Sequence, residues 1–407
     1  MSSLRALTAL GLAALAVVGT VAGSASAATD NPAAPDRHTA PNHVVGAYFA
    51  GWERDSFPAS QIPANTVTNV FYAFSTISNG VCATPDGGAA GDFAALKQLK
   101  ASHPNLKVSI SIGGWGAGGF SDAALTDASR KKFVGACLNT FFKTYKDTFD
   151  GVDIDWEFPV SGGPAEITAR PQDKQNATLL AKEFRRQLDA LGGSHKLLTA
   201  ALPAGRLQTG TGKYGDPYDP AASFDLGGIA KVLDWVNLMT YDMGTGFSPV
   251  STFNAPMAQV PADPLPQPMK RWNNVTGAVQ YYEMHGVPAD RIVLGVPYYG
   301  RGFHVTQEGP NHGLFQPWDT SFDPGSWGDI KTKLLTDPAW KQYWDSNAQS
   351  PWLYNAAERK FVSFENPRSI GIRSDYARNA NLRGAFTWEI AEDDAQHSML
   401  DAMAKPW

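Results

Sequence analysis

The chain has 407 residues, of which 43% are hydrophobic and 18% charged, and its formal net charge is −5. This composition is typical of a globular protein, and an acidic chain without a lysine and arginine cluster is not expected to bind nucleic acid. The length fits either two or three average domains or one α/β barrel. With 12 Trp, 13 Tyr and 21 Phe, the aromatic content exceeds ordinary core needs and indicates a ligand with flat apolar faces.

The first 27 residues have the three parts of a secretory signal peptide. Arg5 supplies the positive charge, residues 6–21 are largely apolar, and Ala25-Ser26-Ala27 forms a small-residue cleavage site. A membrane anchor is the alternative, but the apolar run is shorter than the roughly 20 residues that a span needs. We therefore expect a secreted, extracellular protein with no membrane association after cleavage. Residues 28–43 are predicted to be a flexible leader.

The chain contains two cysteines, Cys82 and Cys137. An exported protein meets oxidising conditions, which permits one disulfide, but buried free cysteines are also common. The sequence leaves the pairing open. Two cysteines are too few for a Cys-rich structural zinc site.

Short apolar runs alternate with amphipathic stretches from residue 44 onward. Helical periodicity is clearest over residues 127–145 and 174–191. The predicted strands cover residues 44–49, 67–75, 107–112, 151–158, 197–202, 235–241, 292–299 and 384–388. This alternation predicts an α/β fold, a (β/α)8 TIM barrel. The barrel is expected over residues 44–302 and 365–407, with a small α+β insertion domain over residues 303–364 at its C-terminal rim.

The fourth predicted strand carries three acidic residues in alternation with apolar ones. Strand side chains alternate between faces, so one face of this strand presents Asp153, Asp155 and Glu157. The opposite face, which suits contact with outer helices, presents Val152, Ile154 and Trp156. Unpaired buried charge is costly, so three carboxylates facing a barrel interior indicate a functional site.

The chemistry of this stack follows from the repulsion between close carboxylates. At least one of them should keep a proton at neutral pH, and Glu157, nearest the open end, is the natural general acid. Asp155 would hydrogen-bond either up or down the stack, and Asp153 would hold a shared proton. The alternatives are a calcium loop, a divalent-metal phosphotransfer site and a structural ion-pair network. The apolar neighbours and the lack of a phosphate loop argue against both metal sites, so we expect no metal.

The pattern Asp150-x-x-Asp153-x-Asp155-x-Glu157 resembles the signature of glycoside hydrolase family 18, the chitinases. Four further stretches resemble the family's motifs on the third, sixth, seventh and eighth strands: Ser111-Ile-Gly-Gly-Trp115, Met239-Thr-Tyr241-Asp242, Pro297-Tyr-Tyr299-Gly-Arg301 and Gly384-Ala-Phe-Thr-Trp388. The resemblance runs from about residue 44 to the C-terminus. The long segment after Arg301 resembles the α+β insertion of the family's bacterial-type subgroup.

The resemblance implies a substrate-assisted retaining hydrolysis of β-1,4-linked N-acetylglucosamine, an exception to the usual two-carboxylate scheme. Glu157 would protonate the glycosidic oxygen, and the 2-acetamido oxygen of the sugar would attack the anomeric carbon. Asp155 would orient the acetamide, with Asp153 and Ser111 beneath it. Tyr241 would hydrogen-bond the attacking acetamide oxygen. No cofactor is implied.

The resemblance also implies a set of residues that bind the sugar chain. Trp388 would form an apolar floor with Met239 beside it, and three residues would hydrogen-bond sugars near the cleavage point: Asp242, Tyr299 and Arg301. Trp115 and Phe49 would line the cleft, although both also suit a core. Two positions depart from the family pattern. Phe247 stands where relatives often have a sugar-stacking Trp, and Ala47 stands where some have a Tyr that bonds the buried Asp.

The expected partners are chitin and N-acetylglucosamine oligosaccharides, bound by a monomer. Two alternatives stay open. A non-hydrolytic, lectin-like chitin binder would typically lack the acid that Glu157 provides. An endo-β-N-acetylglucosaminidase acting on N-glycans would need a more open site than the predicted insertion leaves.

Overall fold

The computed structural model describes residues 43–85, 87–205, 207–209 and 216–407. The predicted signal peptide and residues 28–42 of the predicted leader lie outside the described residues. The strands of the two larger sheets are β1 (Val44–Ala50), β2 (Asn69–Ser75), β3 (Lys107–Gly113), β4 (Gly151–Asp155), β5 (Leu197–Pro203), β6 (Trp235–Met239), β7 (Ile292–Pro297), β8 (Arg301–Val305), β9 (Trp318–Phe322), β10 (Trp340–Asp345), β11 (Ser350–Asn355), β12 (Lys360–Ser363) and β13 (Gly384–Trp388).

Helices connect these strands on the outside of the main sheet. They are α1 (Ala89–Ser102), α2 (Phe120–Ala124), α3 (Asp127–Leu138), α4 (Asp173–Ala190), α5 (Leu226–Ala230), α6 (Gln267–Trp272), α7 (Val275–Met284), α8 (Trp327–Asp329), α9 (Pro367–Asn379) and α10 (Ser398–Ala404). A π-helical turn, Asn139–Thr144, continues α3 and accounts for the end of the predicted 127–145 helix.

Eight parallel strands close into a barrel in the order β1-β13-β7-β6-β5-β4-β3-β2. Closure is made by β1, which pairs with β13 from Val44 and with β2 from Gly46. The predicted (β/α)8 barrel is confirmed. Side chains alternate along β4 as expected, with Val152 and Ile154 in the outer core against the helices.

A second sheet of five antiparallel strands, in the order β9-β8-β12-β11-β10, lies in the chain between β7 and β13. It runs from Arg301 to Ser363. Its aromatic core also takes in Phe253 and Val260 from the segment that follows β6. The sheet is therefore packed against the loop that leaves the sixth barrel strand.

Three barrel strands end earlier than the sequence predicts. β4 ends at Asp155, whereas the prediction extended it to residue 158. Its last partner in β3 is Gly113, opposite Asp155, and its pairing with β5 ends at Ile154, opposite Ala200. β6 and β7 end at Met239 and Pro297 in the same way. The residues just beyond these strand ends are those that reach into the cleft.

The two cysteines form a disulfide between Cys82 and Cys137, with the Cα atoms 4.9 Å apart. Cys82 lies in a short hairpin that follows β2, and Cys137 lies in α3. The bond ties the β2–α1 segment to a helix on the outside of the barrel, which answers the question that the sequence left open.

Candidate active site

A deep cleft of about 1040 Å³ opens at the carboxyl ends of the barrel strands, where barrel enzymes place their active sites. Its volume is at the top of the roughly 300–1,000 Å³ range of small-molecule pockets, so it can take a chain of linked units. The predicted site residues that line it are Asp155, Glu157, Tyr241, Met239, Asp242, Tyr299, Arg301, Trp115 and Trp388.

Asp153 lies beneath the cleft and is fully buried. Tyr48 Oη and Ser111 Oγ donate hydrogen bonds to its Oδ2 over 2.8 and 2.7 Å. Thr199 Oγ1 and Asn237 Nδ2 donate to its Oδ1 over 2.6 and 3.2 Å. Burial raises the pKa of Asp153 above its ordinary value, and the four hydrogen bonds that it accepts oppose this rise because they favour the ionised form.

The donors to Asp153 are themselves fixed by a second layer of contacts. Asn237 Nδ2 also donates to the Tyr48 hydroxyl over 3.2 Å, so that hydroxyl has its own proton free for Asp153. Trp235 Nε1 donates to Asn237 Oδ1 over 2.9 Å. These contacts set the direction of the Tyr48 and Asn237 bonds, both of which Asp153 accepts.

Asp155 and Glu157 form a hydrogen-bonded pair of carboxyl groups above Asp153. Burial raises the pKa of Asp155 well above its ordinary value, and the charges of Glu157 and Asp153 add to this effect. Burial and the nearby charge of Asp242 raise the pKa of Glu157 to about 8. The pair therefore retains a proton at neutral pH, which gives the cleft a general acid.

Tyr241 borders the same pair from the end of β6. Its side chain is buried, and its ring meets that of Tyr299 edge-on, with centroids 6.2 Å apart. Burial, followed by the negative groups around it, raises the pKa of Tyr241 well above its ordinary value. The phenol is therefore a neutral hydrogen-bond donor at every working pH.

Asp242, Tyr299 and Arg301 form one cluster on the opposite wall. Tyr299 Oη donates to Asp242 Oδ1 over 2.9 Å. Arg301 donates to the same oxygen from Nε and Nη2, over 2.8 and 2.6 Å. Asp242 has a left-handed backbone, with φ of 57°. These contacts bring together residues from the ends of two neighbouring strands, as the motifs predicted.

The floor of the cleft is aromatic. Trp388 stacks on Phe74 with ring centroids 5.5 Å apart and an angle of 15° between the planes. Trp52 and Tyr48 contact the same indole at 6.2 and 5.5 Å. Trp115 is 55% exposed at the rim. Flat apolar faces of this kind suit the apolar faces of pyranose rings.

Phe49 corrects one expectation, because it does not line the cleft. Its side chain is buried in the core between the barrel and the helices, where it contacts Tyr72 at 5.7 Å. The side chain of the preceding residue, Tyr48, points into the barrel instead. The tyrosine that bonds the buried Asp, for which the resemblance pointed to position 47, is Tyr48 in this chain.

Five contributors to the site are absent from the sequence-based set: Tyr48, Trp52, Phe74, Thr199 and Asn237. Thr199 and Asn237 lie on β5 and β6 at polar positions within apolar runs, which is a signal that the sequence did contain. Phe247, the departure from the family pattern, lines the rim and is 48% exposed. An aromatic face is thus available there without a Trp.

Within the described residues, no group of three or more His, Cys, Asp or Glu side chains is arranged to hold a metal ion. The described helices also include none with the length and apolar character needed to cross a bilayer.

Comparison with known proteins agrees with this geometry. Residues 44–393 match the family model described as glycosyl hydrolases family 18. The chain is 37% identical over 322 residues to chitinase A1 of Niallia circulans, covering 76% of this chain and 44% of that protein. It is 32% identical over 373 residues to chitinase 1 of Aphanocladium album, covering 84% and 80% of the two chains.

Solved structures of related enzymes superpose on the same part of the chain. A chitinase from Bacillus thuringiensis matches with a TM-score of 0.78 and 29% identity, over 89% of this chain and 69% of that one. A family 18 N-acetylglucosaminidase from Paenibacillus barengoltzii matches with a TM-score of 0.77 and 28% identity, over 90% and 100%. The predicted family is confirmed: this chain belongs to the glycosyl hydrolases of family 18.

Proposed function

We propose that this protein is a secreted chitinase that hydrolyses β-1,4 bonds between N-acetylglucosamine units by a substrate-assisted, retaining mechanism. The observation that carries the proposal is the hydrogen-bonded pair of Asp155 and Glu157 at the bottom of the aromatic cleft. The chitinases among the relatives supply the substrate class.

The distance between these carboxyls argues for a nucleophile that belongs to the substrate. Two carboxyl groups that flank a sugar lie about 5–5.5 Å apart in retaining enzymes and about 6.5–9.5 Å apart in inverting ones. Asp155 and Glu157 share a hydrogen bond, which leaves no room for a sugar ring between their carboxyl groups. They therefore act from the same side of the anomeric carbon. The acetamido oxygen of the sugar is a suitable group for attack from the other side.

The steps follow from this arrangement. Glu157 gives its proton to the glycosidic oxygen, the bond from that oxygen to C1 breaks, and the acetamido oxygen bonds to C1. Asp155, which is ionised while Glu157 holds the proton of the pair, accepts a hydrogen bond from the acetamide N–H and offsets the positive charge of the oxazolinium ring. Tyr241 donates to the acetamide oxygen. Water then attacks C1 as the bond from C1 to the acetamido oxygen breaks, and the proton released by the water passes to Glu157. This second displacement at C1 restores the β configuration.

Asp153 contributes by staying ionised. Its negative charge beneath Asp155 favours a proton on the Asp155–Glu157 pair before reaction. The donors that surround Asp153 prevent it from taking that proton itself. Secretion is supported by the predicted signal peptide, and the Cys82–Cys137 disulfide suits an oxidising compartment.

The direct test compares substrates with and without the acetamide. We expect the purified protein to cleave N-acetylglucosamine oligomers and to leave the fully deacetylated oligomers intact. A thiazoline analogue of the cyclised intermediate should inhibit it competitively. Equal cleavage of both oligomers would contradict the mechanism. Binding without cleavage would leave the lectin alternative, and preferential release of glycans from a glycoprotein would leave the endoglycosidase alternative.

A further inference from the structure

Asn254 is a fully buried residue on the segment that follows β6, and its contacts lead to the active site. Its side-chain Oδ1 accepts a hydrogen bond of 2.9 Å from the backbone N–H of Asp242. Its backbone carbonyl accepts a bond of 3.0 Å from the N–H of Met243. Two successive peptide groups at Asp242 are therefore fixed by one residue.

This support is needed because the backbone of Asp242 is strained. A non-glycine residue with φ of 57° lies in the left-handed region, which is unfavourable for a residue with a Cβ and persists only where the surroundings impose it. The turn after Asp242 is also pressed closely against the segment of Asn254. A Cβ placed on Gly244 would lie 2.6 Å from the carbonyl oxygen of Phe253.

Asn254 is in turn fixed by the five-stranded sheet. Its backbone N–H donates to Ser363 Oγ over 2.8 Å. Ser363 at the end of β12 is the register partner of Arg301 at the start of β8. Arg301 donates two hydrogen bonds to the carboxylate of Asp242. The contacts thus form a closed circuit from Asp242 through Asn254, Ser363 and Arg301 back to Asp242.

We propose that Asn254 is a positioning residue that uses the insertion sheet to hold Asp242 beside the catalytic acid. This inference rests on the proposed function, in which Glu157 is that acid. It assigns the five-stranded sheet a role in the chemistry, in addition to any role in shaping the cleft.

The electrostatics around Glu157 provide a readout that is specific to this role. The ionisable groups that face Glu157 or act on it through a neighbour are Asp155, Asp242, Asp153, Tyr241, Tyr299 and Arg301. Among them, Asp242 receives the direct contact from Asn254, and its negative charge contributes to the raised pKa of Glu157. Withdrawing Asp242 should therefore lower the pKa of Glu157 and leave the Asp155 contact in place.

The experiment measures kcat/KM against pH for the wild type, Asn254→Ala and Asn355→Ala, on an N-acetylglucosamine oligomer. Asn355 is a matched control because it is also buried and its Oδ1 also accepts backbone N–H bonds, from Ala357 and Glu358. We expect Asn254→Ala to lower kcat by about tenfold or more, with little change in KM. We also expect the basic limb of its profile to move to lower pH. Asn355→Ala should keep the limb of the wild type.

A second variant keeps the inference testable if Asn254→Ala does not fold. Ser363→Ala removes the acceptor of the Asn254 N–H and leaves every group of the cleft in place. It should shift the basic limb in the same direction by a smaller amount. A limb that stays at the wild-type position or moves to higher pH in a folded Asn254→Ala or Ser363→Ala protein would overturn the inference.

The proposed function and the positioning role of Asn254 can be tested separately. If the wild type has no activity, the proposed function fails, but the pKa of Glu157 can still be followed by carbon-13 NMR of its side-chain carboxyl. A lower pKa in Asn254→Ala than in Asn355→Ala would then still support the positioning role. Equal values in the two variants would overturn it.

Discussion

Asp155, which is buried, and Glu157, which is partly exposed to the cleft, hold their carboxyl groups in mutual hydrogen-bond contact, and both carry raised pKa values. Such a pair cannot lose both protons easily, because the second ionisation would place two like charges in a poorly solvated site. The ionised Asp153 below increases that cost. The central claim is that this retained proton is the one delivered to the glycosidic oxygen.

Replacing the acid should abolish turnover without abolishing binding. Glu157→Gln keeps the shape of the side chain but cannot donate a carboxyl proton, so we expect kcat to fall by about 10²–10⁴. Affinity for an oligomer, measured by calorimetry at equilibrium, should change little because the aromatic floor is untouched. A variant that retains wild-type kcat would rule out Glu157 as the acid.

The pH dependence of activity should have a basic limb near pH 8. Glu157 has a pKa raised from 4.5 to about 8, and its protonated form is the active one, so kcat/KM should fall as the pH rises through that value. The profile measured on a soluble oligomer provides the test. A limb near pH 5 would mean that the acid is not held in this environment.

The same raised pKa should make Glu157 a source of instability at alkaline pH. A carboxyl with a folded pKa above its unfolded value contributes stability below about pH 4.5, and this contribution is lost as the pH rises through about 8. Glu157→Gln does not titrate. Its melting temperature should therefore exceed that of the wild type at pH 8 by more than it does at pH 5. Equal differences at the two pH values would contradict this prediction.

The hydrogen bonds to Asp153 should support both the fold and the reaction. Thr199→Val removes a bond of 2.6 Å and keeps the shape of the side chain. We expect a loss of about 1–3 kcal/mol in the free energy of unfolding, measured in urea. The variant should also show a lower kcat, because a less stable Asp153 anion competes for the shared proton. Unchanged stability and kcat would show that the bond contributes to neither.

Alanine variants of Phe49 and Trp115 should affect different properties: the first should lower stability, and the second should weaken oligomer binding. Phe49→Ala empties a buried site in the outer core and should cost about 3–5 kcal/mol of stability. Trp115→Ala removes an exposed rim residue. It should weaken oligomer binding with little effect on the melting temperature. Calorimetry and thermal melts on both variants check the pair, and the reverse pattern would restore the sequence-based assignment of Phe49 to the cleft.

The contrast between Phe49 and Tyr48 also indicates what a single sequence can reveal. The barrel was predictable from the alternation of strands and helices. The inward face of β4 was also predictable, because acidic residues alternate with apolar ones along that strand. β1 is buried along its whole length, on both faces. Its apolar run therefore does not report which side chains enter the barrel. The face is evident only in the closed barrel, where Tyr48 contacts Asp153 and Phe49 packs in the outer core.

The remaining gaps have a similar origin. The donors Thr199 and Asn237 reach Asp153 because parallel neighbours are in a particular register, and no local pattern encodes that register. Asn254 lies in a loop 12 positions from Asp242, where periodicity gives no information. Family motifs identified the residues at the strand ends well, because those residues are spaced by short, fixed distances along the chain.

The most direct test of the central claim is a time course on the N-acetylglucosamine hexamer, with the product anomer read by NMR and Glu157→Gln run beside the wild type. The account predicts that shorter oligomers appear first as the β-anomer, and only with the wild type. Initial release of the α-anomer, or equal rates for the two proteins, would contradict it.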